Sequence, residues 1–178
     1  MGSTGVQPTH TLVLGGAASG KSAFAEQLAG RAGKPMVYIA TAQAFDTEMR
    51  DRIDLHVARR GDAWTTIEAP LDVAGAIRSL SSHQICLLDC ATMWLSNQML
   101  AECDIPEAEA ALLDAIRTCA ADLVIVTNEV GQGIVPENPL ARRFRDAQGR
   151  LNIRLAGACH GVVQVIAGLP RVLKGALE

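Results

Sequence analysis

The eight residues GGAASGKS, from Gly15 to Ser22, constrain this chain more than any other stretch. An apolar run, TLVLGG (Thr11 to Gly16), leads into them, and an amphipathic run, KSAFAEQLAGRAG, leads out. The first reads as a buried strand. The second reads as a helix ending at Gly33, a suitable C′ glycine. The pattern Gly15-x-x-x-x-Gly20-Lys21-Ser22 is a Walker A loop, and its context is the one that motif requires. Backbone N–H groups of such a loop approach phosphate oxygens closely, which excludes side chains at the glycines. Lys21 reaches the β- and γ-phosphates, and the Ser22 hydroxyl ligates Mg²⁺. The helix that follows presents its positive end to the same phosphates. Candidate nucleotide-binding residues are therefore Gly15, Gly16, Ala17, Ala18, Ser19, Gly20, Lys21 and Ser22.

The rest of the chain repeats the alternation. PMVYIATA, WTTIEAP, QICLLDC, DLVIVTNE and HGVVQVIAGL read as strands. Helices are expected from Asp46 to Arg60, Leu71 to Leu80, Thr92 to about Leu100, Glu107 to Ala120 and Leu140 to Ala158, with a local break at Gly149. Near-continuous apolar strands alternating with helices mean a mainly parallel sheet covered on both faces. The fold class is α/β: one P-loop domain over residues 11–178, behind a short disordered leader at 1–10. There are no repeats and no linker.

Composition narrows the function. At 178 residues with 49% hydrophobic content, the chain can build a full core without staples. A net charge of −3 and 3% aromatic residues argue against a nucleic-acid partner, despite the basic helix LARRFRDAQGRLNIRL. No run is apolar enough to span a membrane, and the N-terminus lacks the features of a signal peptide. Five cysteines without a CxxC pair read as free or buried thiols, which places the protein in a reducing compartment, the cytoplasm.

A phosphate loop needs a second anchor for Mg²⁺, and an acidic residue ending another apolar strand supplies one. ICLLD offers Asp89. VTNE offers Glu129 as the rival, ranked second because four apolar residues run unbroken into Asp89. On the Asp46–Arg60 helix, Met49, Ile53 and Val57 form the core stripe, while Glu48, Arg52, His56 and Arg60 form its neighbour. Arginines one turn before and after His56 disfavour its protonation, and a neutral imidazole is a nucleophile. The residues alone leave two readings open, a nucleophile or a solvated helix-face histidine. His10, His83 and His160 read as structural or solvated.

The segments GGAASGKS, YIATAQAFDTEMRDRIDLH, LLDCATMWLSN, TNEVGQGIVPENPLARRFRDAQGRLN and AGLPRVLK carry a resemblance over nearly the whole chain, Thr11 to Lys174. The chain resembles the bifunctional adenosylcobinamide kinase / adenosylcobinamide-phosphate guanylyltransferase family of cobalamin biosynthesis. The resemblance implies a RecA-like P-loop domain, a homotrimer, and two reactions. ATP or GTP phosphorylates the terminal hydroxyl of adenosylcobinamide. A histidine then attacks the α-phosphate of GTP, becomes a GMP-histidine and passes GMP to the phosphorylated cobinamide. The family's histidine, in an R-I-x-x-H segment, maps onto His56, making His56 and Lys21 the expected catalytic residues. Nucleotide contacts carry over to Ala40, Thr41, Ala42, Val57, Ala58, Arg59, Arg60, Glu68 and Asp89. Two positions depart from the usual pattern: Ala18, where an arginine often stands, and Ile153, where a glutamine is common. A P-loop kinase without guanylyl transfer and a nucleotide-dependent switch are the alternatives.

Overall fold

The strands form from short apolar, β-branched runs: β1 His10–Gly15, β2 Met36–Ala40, β3 Trp64–Glu68, β4 Ile85–Asp89, β5 Asp122–Asn128, β6 Gly161–Ile166 and β7 Leu169–Lys174. They make one seven-stranded sheet in the order β3-β2-β4-β5-β1-β6-β7. Every pairing is parallel except β6 with β7. The computed structural model describes residues 7–43 and 63–176. The expected Asp46–Arg60 helix, with His56, Val57, Ala58, Arg59 and Arg60, lies outside the described residues, as do residues 1–6 of the expected leader.

Side chains along the central strands alternate between two faces, as a pleated sheet requires. Leu12, Ile39, Leu88, Leu123 and Ile125 face one side; Val13, Leu87, Val124, Val126, Val163 and Val165 face the other. Helix α1 (Lys21–Arg31) covers the second face with Ala25 and Ala29. Among the described residues, four helices cover the first face: α2 (Val73–Arg78), α3 (Ala91–Leu100), α4 (Ile105–Thr118) and α5 (Pro139–Ala158). Burying each Leu or Ile there stabilises the fold by roughly 1.5–3 kcal/mol relative to leaving it exposed.

Helix starts fall one or two residues from those expected because caps fix them. Asp104 accepts from Glu107 N at 3.0 Å, which begins α4 at Ile105 with Pro106 in its first turn. Asn138 accepts from Leu140 N at 2.8 Å, which places Pro139 at the first position of α5.

Three expectations need correction. Helix α5 runs through Gly149 without a break. Leu151 and Leu155 are fully buried beyond the glycine, and that anchoring outweighs the ~1 kcal/mol penalty of a helical glycine. His10 belongs to β1, and its ring is buried against His160 with centroids 5.2 Å apart. The final expected strand is two strands: Ala167 (φ 51°) and Gly168 (φ 77°) turn the chain into an antiparallel hairpin. An alanine at a positive-φ position hid that turn from the sequence.

Candidate active site

The register brings the carboxyl ends of five strands into one row. Gly15 pairs with Asn128, Val126 with Asp89, Asp89 with Ala40, and Ala40 with Glu68. The phosphate loop, the expected metal anchor Asp89 and two further expected nucleotide contacts, Ala40 and Glu68, thus share one edge. Ligands of open parallel sheets bind at this edge.

The loop between β1 and α1 has the shape its glycines allow. A Cβ at Gly15 would lie 2.6 Å from the Val165 carbonyl oxygen and 2.5 Å from Ser19 Oγ, closer than atoms can approach. Gly20 stands at φ 91°, a left-handed conformation that favours glycine. Gly168 N, from the β6–β7 turn, donates to Ser19 O at 2.8 Å and braces the loop from the side. Among the described residues no side chain caps α1, so its first-turn N–H groups face the loop without a side-chain acceptor. Ser19 Oγ is buried with no partner among the described residues. Lys21 Nζ donates to Gly16 O at 3.1 Å, folded back across the loop. Uncapped N–H groups, an orphaned hydroxyl and an ammonium on one loop fit a polyphosphate. Ala18 holds φ 54° in the exposed outer part of the loop.

Asp89 ends β4 half-buried and accepts from Tyr38 Oη at 3.1 Å. The Asp89–Cys90 peptide is cis. Burial, with the negative charge of Asp89 beside it, pushes the Cys90 thiol up to about 11, so this sulfur stays protonated and is no nucleophile at neutral pH.

Thr41 is fully buried and committed to structure. Its hydroxyl accepts from Cys90 N at 2.8 Å and donates to Cys90 O at 2.9 Å. Its carbonyl accepts from Asn97 Nδ2 at 2.8 Å, and the same amide also donates to Pro70 O at 2.9 Å. Thr41 thus latches the end of β2 to that of β4, while Asn97 ties in the segment following β3. Ala40 and Ala42 flank this latch half-buried, and Glu68 is exposed at the end of the row. Thr41→Val is expected to destabilise the fold by about 1–3 kcal/mol, because it leaves the buried Cys90 N–H without an acceptor, while the Cys90 carbonyl keeps its bond from Trp94 N. Urea unfolding of the two proteins measures this, and an unchanged midpoint and slope would remove the latch.

Sequence reasoning missed the residues that hold this edge. Asn97 and Tyr38 are two of them. A third group is Thr127, Gln148 and Asn152, where Thr127 Oγ1 donates to Asn152 Oδ1 at 2.7 Å and accepts from Gln148 Nε2 at 2.9 Å. Asn152 Nδ2 then donates to Asn128 O at 3.0 Å, fixing the end of β5. The available signal was a polar residue on an otherwise apolar helix face: Gln148 and Asn152 precede buried Leu151 and Leu155 at helical spacing. Ile153, by contrast, is 74% exposed and touches none of this network.

The Gly/Pro loop at 130–138 rises beside the row. Arg142 Nη1 donates to Pro136 O at 2.9 Å and to Glu137 O at 2.6 Å, and Arg145 Nη2 donates to Gly131 O at 2.5 Å. Two cations of α5 thereby hold the loop by its carbonyls, while Ile134 is 97% and Val135 63% exposed. An apolar groove of about 280 Å³ opens next to it, lined by Met99, Leu100, Leu140 and Phe144 among others.

A parallel sheet with β5 inserted between the loop-bearing strand and the Asp89 strand, and a Walker A loop opening onto α1, define a nucleotide-binding P-loop protein of RecA-like fold. Among solved structures, a Pyrococcus horikoshii protein described as a structural study of Project ID PH0250 shares the fold at a TM-score of 0.53, covering 95% of this chain and 87% of its own, with 7% identity. The family model for cobinamide kinase / cobinamide phosphate guanyltransferase matches residues 11–173. The bifunctional adenosylcobalamin biosynthesis protein CobP of Pseudomonas aeruginosa is 46% identical over 169 residues, 92% of this chain and 96% of that one. The bifunctional adenosylcobalamin biosynthesis protein CobU of Salmonella typhimurium is 42% identical over 174 residues, 89% of this chain and 96% of that one. The chain belongs to the cobinamide kinase / cobinamide phosphate guanyltransferase family. It is a bifunctional enzyme of cobalamin biosynthesis, phosphorylating adenosylcobinamide and then transferring GMP to it.

Proposed function

We propose that both reactions draw on the nucleotide edge just described, with His56 as the covalent carrier of GMP. The observation that carries this is the shared row of strand ends. The polyphosphate cradle of Gly15 to Ser22 and the Ala40–Thr41–Ala42 segment stand on the same edge, and in chain order the sequence that carries His56 follows Gln43. In the kinase reaction, the loop and Lys21 hold the β- and γ-phosphates of ATP or GTP against the acceptor hydroxyl. In the second reaction, His56 attacks the α-phosphorus of GTP, pyrophosphate leaves, and the phosphate of adenosylcobinamide phosphate displaces the histidine. A phosphoramidate retains the transfer potential of the nucleotide and splits one displacement into two. Val57, Ala58, Arg59, Arg60 and Glu68 are assigned to the nucleotide in this reading, with the arginines neutralising phosphate charge. Ile134, Val135 and the groove beside them offer the apolar surface a corrinoid macrocycle requires.

Ser22 and Asp89 would hold Mg²⁺. Both are hard oxygen donors, Asp89 is bonded at Oδ2 by a neutral phenol, and the Ser22 hydroxyl has no partner among the described residues. The ion would supply charge neutralisation on the phosphates. Asp89→Asn keeps the side chain's shape and removes its charge. The expected result is a roughly tenfold or larger rise in the Mg²⁺ concentration for half-maximal activity, on the scale of losing one ligating group. An unchanged magnesium titration would move the anchor to Glu129 or Glu68.

Free Cys86, Cys90, Cys103, Cys119 and Cys159 support a cytoplasmic setting. Among the described residues no helix is long and apolar enough to cross a membrane. We also assign the homotrimer of the family to this chain, and sedimentation of the purified protein tests that assignment.

The decisive experiment mixes the protein and Mg²⁺ with GTP labelled at the α- or γ-phosphate, without corrinoid. Only α-labelled GTP should mark the denatured protein. The bond should survive base and break in acid, as a phosphoramidate does. The label should map to His56 and leave on addition of adenosylcobinamide phosphate. Labelling from the γ-phosphate, or from neither, would sink the covalent route.

A further inference from the structure

We propose that Glu129 is the group that orients and deprotonates the acceptor hydroxyl in the kinase reaction, a role that rests on the nucleotide edge assigned above. Glu129 follows β5 directly, and its backbone N donates to Gly15 O at 3.1 Å, so its side chain starts at the base of the phosphate loop. The carboxylate then reaches across β1 to β6. Gln164 Nε2 donates to both of its oxygens, at 3.0 and 3.1 Å, and Gln132 Nε2 donates to Oε1 at 3.2 Å. Gln164 pairs in register with Leu14, one residue before Gly15.

Two features separate this carboxylate from a structural one. Its partners are both neutral amides, and among the described residues no lysine or arginine pairs with it. A half-buried carboxylate held only for packing is best stabilised by a cation. Amides orient it and leave its charge and its remaining lone pairs available. Its position is the second feature. Val163 and Val165 pack on the face that α1 covers, so Gln164, between them, faces the opposite side. Glu129 is therefore held on the side of the phosphate loop away from α1. The leaving diphosphate lies against the loop and the N-terminus of α1, and in-line displacement requires the nucleophile to enter from the far side. The mobile end of the acceptor arrives where Glu129 stands. The hydroxyl proton passes to the carboxylate, the oxygen forms its bond to the γ-phosphorus, and the bond to the β-phosphate oxygen breaks with its electrons leaving on the nucleoside diphosphate.

The guanylyl transfer has no such proton to remove, because its acceptor is already a phosphate anion. This gives the test its contrast. Glu129→Gln, Glu129→Asp and Gln164→Leu are compared with the unmodified protein in two assays: phosphorylation of adenosylcobinamide by ATP, and GMP transfer to adenosylcobinamide phosphate supplied ready-made. Fluorescent ATP-analogue binding and circular dichroism are measured on each. Glu129→Gln is expected to lower kcat for phosphorylation by about 10²-fold or more, the scale of general-base catalysis, with KM for the acceptor and analogue affinity within about twofold. The ratio of the two activities should shift at least tenfold. Glu129→Asp, which keeps a proton acceptor, should recover part of the loss. Gln164→Leu removes the orienting amide and should lower kcat for phosphorylation several-fold at unchanged nucleotide affinity. It carries the test if Glu129→Gln does not fold. Equal losses in both reactions, a loss reversed by raising Mg²⁺, or unchanged phosphorylation in Gln164→Leu and Glu129→Gln would each overturn the assignment. An unmodified protein that fails to phosphorylate adenosylcobinamide would overturn the kinase reading and this role together.

Discussion

Lys21→Ala will cost both reactions at least about 10²-fold in kcat/KM, with the fold intact. The ammonium is the only cation placed on the phosphate loop among the described residues, and it bonds Gly16 O at 3.1 Å, poised to exchange a loop carbonyl for a phosphate oxygen. Uncapped N–H groups of α1 supply partial charges; they do not supply a full one. Lys21 is also half-buried and makes no ion pair in the described structure, so its loss should leave the unfolding midpoint nearly unchanged. Steady-state kinetics of each half-reaction, together with a thermal melt, checks this. Near-normal turnover by a folded Lys21→Ala protein would remove the loop from the mechanism.

His56→Asn will divide the two activities. GMP transfer should fall by roughly 10³-fold or more, because asparagine has no nucleophilic nitrogen and the covalent route closes. Phosphorylation needs the loop, Lys21 and the metal anchor, and should survive at least in part. The measurement is a pair of rates on one preparation: γ-label transferred from ATP to adenosylcobinamide, and α-label transferred from GTP to its phosphate. Normal GMP transfer would exclude His56 as the carrier. Parallel loss of both rates would make it a residue of the common nucleotide site.

What the sequence disclosed follows from how local each signal is. The phosphate loop was legible because its glycines, lysine and serine are contiguous. Asp89 was legible because a strand's end is marked by the first charge after an apolar run. The helix of Asp46 to Arg60, with His56, lies outside the described residues, so its role stands on the R-I-x-x-H resemblance and the experiments above. The supports of the edge were not legible, because each depends on a contact between residues far apart. Asn97 donates to Thr41, 56 residues away, and Gln164 to Glu129, 35 away. Both read locally as ordinary polar positions. Ala167 was missed for a different reason, since alanine gives no sign that its φ is positive.

The strand order also sets when the enzyme comes into being. The strand that carries the phosphate loop is synthesised first, yet it lies between β5 and β6, two of the last three strands made. Its neighbours close contacts across 113 residues, from Thr9 N to Asp122 Oδ1, and across 150, from His10 N to His160 Nδ1. Contacts of such sequence separation form slowly, because chain entropy is lost before they repay it. On a ribosome, nascent chains would thus carry the loop's sequence through most of translation without its geometry. Competence to hold a nucleotide arrives only when the last strands join the sheet, and a chain released short of them would be blind to ATP and GTP alike.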